Sequence, residues 1–121
     1  MKNINKIEWL TYLFIGVLIL TGIIITLVDP DYFKYHYVTE DGPIEWLTVI
    51  ALLAGTAACF YRVIRLYPYK PKLFLSMTFL LGLVFFFVAG EEISWGQRIF
   101  DIESSEWLLE NNAQGETNLH N

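Results

Sequence analysis

The sequence predicts an all-α integral membrane protein with three transmembrane helices and a short interfacial segment near its C-terminal end. Three observations lead there. Long apolar runs at about residues 9–28, 44–66 and 73–92 are separated by short charged connectors, a membrane pattern rather than a globular one. Aromatic residues make up 17% of the chain, as expected where Trp and Tyr line the bilayer interfaces. Lys and Arg are distributed unevenly among the connectors, as in a chain with a defined orientation in the membrane. At 121 residues this is one membrane domain, 1–121.

The first apolar run carries no charge from Trp9 to Val28. A helix of that length spans about 30 Å, the thickness of the hydrocarbon core. It is longer than the apolar core of a signal peptide, and no small-x-small site precedes Asp29-Pro30, so a retained helix is expected. Pro30 helps to end it. The connector that follows, Tyr32-Phe33-Lys34-Tyr35-His36-Tyr37, is too aromatic for a free loop and reads as a segment resting in the headgroup layer.

Glu40-Asp41-Gly42-Pro43-Ile44-Glu45-Trp46 reads as a helix start. Asp41 or Gly42 can cap, Pro43 suits the first helical position, and Glu45 favours the positive end of the dipole. The second run reaches spanning length with the stems of Arg62 and Arg65, whose heads can snorkel. Its Ala51/Gly55 and Ala54/Ala58 spacings predict a close-packing face. Cys59, the only cysteine, can form no intrachain disulfide and reads as a small packing residue. A basic, Pro-broken turn at 67–72 leads to the third run. Beyond it lies an acidic, amide-rich tail, 101–121, with Ser104 or Ser105 as a cap for a short helix at 106–110.

Three crossings place Lys2, Lys6, Arg62, Arg65, Lys70 and Lys72 on one side and Lys34 and Arg98 on the other. That skew puts the N-terminus in the cytoplasm and the C-terminal tail outside, as in a multi-pass protein of the cell (inner) membrane. The formal charge of −5 comes without any basic stripe, which argues against nucleic acid as a partner. The partner expected is the lipid bilayer itself, with a lipid headgroup or other membrane helices.

The third run ends in Gly90-Glu91-Glu92-Ile93-Ser94-Trp95-Gly96-Gln97-Arg98. Ionisable groups where a helix leaves the hydrocarbon are costly and mark either function or a polar lock between helices. If the helix continues to Phe100, Glu91, Ser94, Trp95 and Arg98 share one face. Glu45 falls at similar depth. Glu40, Asp41 and His36 are close along the chain, and the tail adds Gln114, Glu116, Asn118, His120 and Asn121.

Three readings fit this stretch. In the first, Glu45, Glu91 and Arg98 pair and hold the helices together. In the second, the cluster is an enzyme site, a hydrolase or transferase acting on a lipid or lipid-linked substrate. Glu91, Glu92 and Ser94 are then the catalytic candidates, because a partly desolvated carboxylate suits general acid–base work. A divalent metal fits the Glu and His donor set, with His120 and Glu92 as candidate ligands, although no HExxH, clustered histidines or DxD in this stretch supports it and no other cofactor is evident. In the third, Trp95, Gln97, Arg98, Glu45 and Glu40 bind a lipid headgroup, ion or partner without chemistry. Arg98 would clamp an anion and Trp95 would anchor the depth.

The nine-residue stretch Gly90 to Arg98, followed by Asn112-Ala113-Gln114-Gly115-Glu116-Thr117-Asn118-Leu119-His120-Asn121, resembles a family of uncharacterised bacterial multi-pass membrane proteins. Members pair a GEEISWGQR-like helix end with an Asn/Gln/Glu-rich stretch ending in NLHN, after a helix start like Glu40 to Trp46 here. The resemblance covers residues 40–121. It implies a site but no reaction, and it implies further helices after NLHN, so that this chain is expected to be a truncated copy or an N-terminal fragment. Three helices bury only part of such a site. Residues after about 111 are therefore expected to be poorly ordered unless something covers them.

Overall fold

The structure is a computed structural model that describes residues 5–112 and 115–119, apart from the side chain of Arg98. Every regular element among the described residues is helical, and three helices are long and apolar enough to cross a membrane. The chain divides into two compact units, Met1–Pro43 and Ile44–Asn121.

In the first unit, α1 (Lys6–Val28) starts three residues earlier than the apolar run. The reason is a reciprocal cap: the Asn5 side chain accepts from the Glu8 amide at 2.8 Å, and the Asn5 amide donates to the Glu8 carboxylate at 2.9 Å. No described residue of α1 is buried. Thr11 and Thr26 donate their hydroxyls to the carbonyls of Ile7 and Gly22, so neither presents an unmet donor to the surroundings. Asp29 ends α1, and its side chain caps α2 (Pro30–Tyr32) by accepting from the Tyr32 amide at 2.9 Å.

The aromatic connector is not a loop but a π-helical turn, Phe33–Tyr37. Its rings pair four apart, Tyr32 with His36 at 5.4 Å and Phe33 with Tyr37 at 5.8 Å between centroids. Phe33 and Tyr37 lie beside Gly22 of α1, which brings the connector back against the helix it left. The turn into the next helix then needs Asp41 at φ 59° and a glycine at 42, where a Cβ would meet the Thr39 carbonyl.

The next helix, α3 (Pro43–Leu66), opens on Pro43, the last residue of the first unit, and carries Glu45 in its first turn. Leu66 ends the helix, its carbonyl accepting from the amides of Tyr69 and Lys70 at 2.9 Å each. After the turn comes α4 (Lys72–Glu92). Buried positions recur every seven residues on both helices: Val49 and Thr56 on α3, Leu75, Gly82 and Ala89 on α4. Seven residues are close to two helical turns, so these positions lie along one side of each helix.

Two notches key the pair. Phe85 fills the space beside Gly55, and Phe60 with Cys59 fills the space beside Gly82. The Phe60 and Phe79 rings stack at 5.3 Å. Thr56 donates to its own helix at Leu52 (2.9 Å) and lies 3.4 Å from the Gly82 carbonyl. The small-residue expectation is met at Gly55 alone, since Ala51, Ala54 and Ala58 are exposed. The face turned to α4 is the Val49, Gly55, Thr56 and Cys59 side. Small residues permit close approach but do not dictate which flank is used.

Candidate functional site

The third apolar helix stops at Glu92 and does not run on to Phe100. Ser94, Trp95 and Gly96 follow at φ 47°, 53° and 81°, a single turn of left-handed backbone. Such a turn costs about 1–2 kcal/mol for each non-glycine residue, so Ser94 and Trp95 hold it only because their side chains are well bonded. The shared face expected for Glu91, Ser94, Trp95 and Arg98 is therefore not formed as a continuous helix. Reversing the hand instead turns the indole of Trp95 back over Gly90, with a Gly90 Cβ position only 2.8 Å from the ring. Trp95 also meets Phe87 edge-on at 5.5 Å and Phe86 at 6.2 Å.

Folding back delivers the indole N–H to Glu91, which accepts it at Oε1 at 2.6 Å. The other oxygen of Glu91, Oε2, accepts from the Leu119 amide at 2.6 Å. Glu91 is thus buried, with one carboxylate oxygen on each of two neutral donors. Ser94 is fully enclosed. Its Oγ donates to Glu116 Oε2 at 2.7 Å and accepts from Asn118 Nδ2 at 2.8 Å, and the same Nδ2 donates to Glu116 Oε2 at 2.9 Å.

Short elements bring the tail to that place. After the left-handed turn, α5 (Gln97–Phe100) ends on Asp101 at φ 52°, and α6 (Glu106–Asn111) runs to Asn112. Ser105 occupies the position before α6 but makes no capping bond. Ser104 is buried instead, with its hydroxyl 3.1 Å from that of Thr117. The amide of Asn112 staples the final stretch: Nδ2 donates to the carbonyl and Oδ1 of Asn118 at 3.0 and 2.9 Å, and Oδ1 accepts from the Glu116 amide at 3.0 Å. Gln97 Oε1 accepts from the Thr117 amide.

The described part of the tail, 115–119, is accordingly packed into a hydrogen-bonded knot, against the expectation of poor order past 111. The cause is local. Buried acceptors at the end of α4 meet backbone and amide donors of the tail.

Of the residues singled out from the sequence, Glu91, Ser94, Trp95 and Gln97 come together here with Glu116 and Asn118 of the tail. Glu92 is the half-buried last residue of α4, and Glu45 is half-buried in the first turn of α3. Glu40 and His36 belong to the first unit and are exposed. The side chain of Arg98 and all of Gln114, His120 and Asn121 lie outside the described residues. Among the described residues no group of three or more His, Cys, Asp and Glu is placed to hold a metal ion. Sequence reasoning did not find the part that Asn112, Ser104 and Thr117 play in holding the tail. It also missed the reversed turn, for which Gly96 is the one signal in the sequence.

Two cavities flank the Trp95 indole. One, of about 210 Å³, is walled by Phe87, Trp95, Leu108 and Leu119 and edged by Glu91, Thr117 and Asn118. The other, of about 170 Å³, is apolar throughout, between Val49 and Leu53 of α3 and Ile99 and Phe100 of α5. The first sets an aromatic wall beside a buried carboxylate, an arrangement that attracts a cation through both charge and ring quadrupole. No protein-family model matches the chain, and neither does any curated protein or solved structure.

Proposed function

We propose that the chain is a multi-pass protein of a bacterial cell membrane, with its N-terminus in the cytoplasm, that binds the amine of a lipid headgroup at the outer end of α4. The likeness of its GEEISWGQR and NLHN stretches to bacterial multi-pass proteins supports the setting, and the six-to-two skew of basic residues supports the orientation. One observation carries the binding reading. Glu91 is buried beside an aromatic-walled cavity of about 210 Å³, and the two donors it holds among the described residues are neutral. A carboxylate so placed keeps lone pairs and charge to offer an ammonium group, and Trp95 and Phe87 supply faces and edges to surround it.

A second reading has its own support. Ser94 has no exposed surface and spends its hydroxyl on Glu116 and Asn118, which suits a lock that fixes the tail.

The test uses a form in which Trp9, Trp46 and Trp107 are replaced by Phe, leaving Trp95 as reporter, reconstituted with bromine-labelled phospholipids. Brominated phosphatidylethanolamine should quench Trp95 more than brominated phosphatidylglycerol does, and Glu91→Gln should remove the difference while the helical circular dichroism is kept. Equal quenching by both lipids in the Glu91 form would leave the lock as the role of the knot.

A further inference from the structure

The far end of the α3–α4 pair carries a second site. A groove of about 460 Å³ runs between the helices there, lined by Val63 and Tyr67 of the α3 side and by Lys72, Leu75, Ser76, Phe79 and Leu80 of α4. Its walls are apolar over roughly two helical turns, and its one charged lining residue, Lys72, stands at the rim. The groove is open along its side, a slot on the helix surface rather than an enclosed cavity. Lys70, two residues before Lys72, holds its ammonium 5.8 Å from the centre of the Phe74 ring. Arg62 and Arg65 belong to the last part of α3, so four cations and no carboxylate lie between residues 61 and 75. The positive end of the α4 dipole adds to the same field.

An apolar slot that opens at a cluster of cations, where a helix pair leaves the hydrocarbon, matches one kind of molecule. We infer that this groove holds an acyl chain of an anionic phospholipid, with the phosphate at Lys72 and Lys70. The charge decides against a zwitterionic lipid, because no carboxylate lines the groove or lies between residues 61 and 75 to receive its amine. The slot decides against a purely superficial attraction, because a polybasic surface alone needs no cleft. The site is separate from the Glu91 knot, which lies at the opposite end of α4, and does not depend on what that knot binds.

Native mass spectrometry of the full chain, released from vesicles of equal parts phosphatidylglycerol and phosphatidylcholine, reads this directly. One phosphatidylglycerol should stay bound in preference to phosphatidylcholine. A lysine near an anionic headgroup is worth about fivefold in binding, so Lys70→Gln with Lys72→Gln should reduce the preference about 25-fold. Ser76→Phe changes an exposed position, fills the slot with a ring and alters no charge. It should also release the lipid, while the helical circular dichroism is retained. Equal retention of the two lipids by the unmodified chain would overturn the inference. So would a phosphatidylglycerol preference that survives either the double lysine change or Ser76→Phe.

Discussion

Replacing Ser94 by Ala isolates the energy of the knot. The hydroxyl is fully buried, donates to a carboxylate at 2.7 Å and accepts from Asn118 at 2.8 Å. A hydrogen bond to a charged acceptor contributes about 1.5–3 kcal/mol and a neutral one about 0.5–1.5 kcal/mol. Glu116 Oε2 keeps the Asn118 amide at 2.9 Å, which recovers part of the loss. A net cost of about 2–4 kcal/mol for holding the tail follows. Expressed as local opening, that is roughly a 30- to 1000-fold fall in amide-exchange protection.

The amides to follow are Thr117, which donates to Gln97, and Leu119, which donates to Glu91. Hydrogen exchange read by mass spectrometry in detergent should show both accelerated, with the α3–α4 seam unchanged. Ser94→Gly sharpens the assay. It removes the same hydroxyl but relieves backbone at φ 47°, regaining about 1–2 kcal/mol, so it should open less than the alanine form. If Ser94→Ala left exchange at Thr117 and Leu119 within about twofold of the unmodified chain, the knot would not be what holds the tail, and the reasoning would fail.

The helix seam and the first cap give two further expectations. At Gly82 a Cβ would sit 2.7 Å from the Phe60 ring and 3.1 Å from Cys59, whereas at Gly16 nothing lies within 4 Å. Gly82→Ala should therefore lower the thermal unfolding midpoint in detergent, by about 1–3 kcal/mol of overpacking, while Gly16→Ala should raise it or leave it unchanged. Asn5→Ala removes one half of a reciprocal cap and should cost about 1 kcal/mol, visible as faster exchange of the Glu8 amide and nothing elsewhere.

The three long helices were legible because lipid imposes a crude rule: length without charge. Their ends were less so. The first run begins at Trp9 when only charge is counted, yet the Asn5 and Glu8 spacing that starts the helix at Lys6 is itself a readable motif. Glu91 stood out because it ends an apolar run, and Glu116 and Asn118 were placed on its side of the membrane by counting crossings. What could not be read was their partnership. It depends on a left-handed turn at Ser94 and Trp95, residue types with no preference for positive φ, and on Asn112 bonding across a stretch with no period. Tertiary hydrogen bonding chose that backbone, and local propensity opposed it.

Thr56 offers one last consequence. Its proton belongs first to Leu52, at 2.9 Å, and only weakly to Gly82, at 3.4 Å. Sliding α3 along α4 would strand no polar atom there, so hydrogen bonding does not fix the alignment of the two rods. Shape does, through a ring seated at each of two gaps, Phe85 at Gly55 and Phe60 at Gly82. An alignment keyed by bulk and hollow can be transposed: exchanging the partners, Phe60→Gly together with Gly82→Phe, should re-form a fit that either change alone destroys.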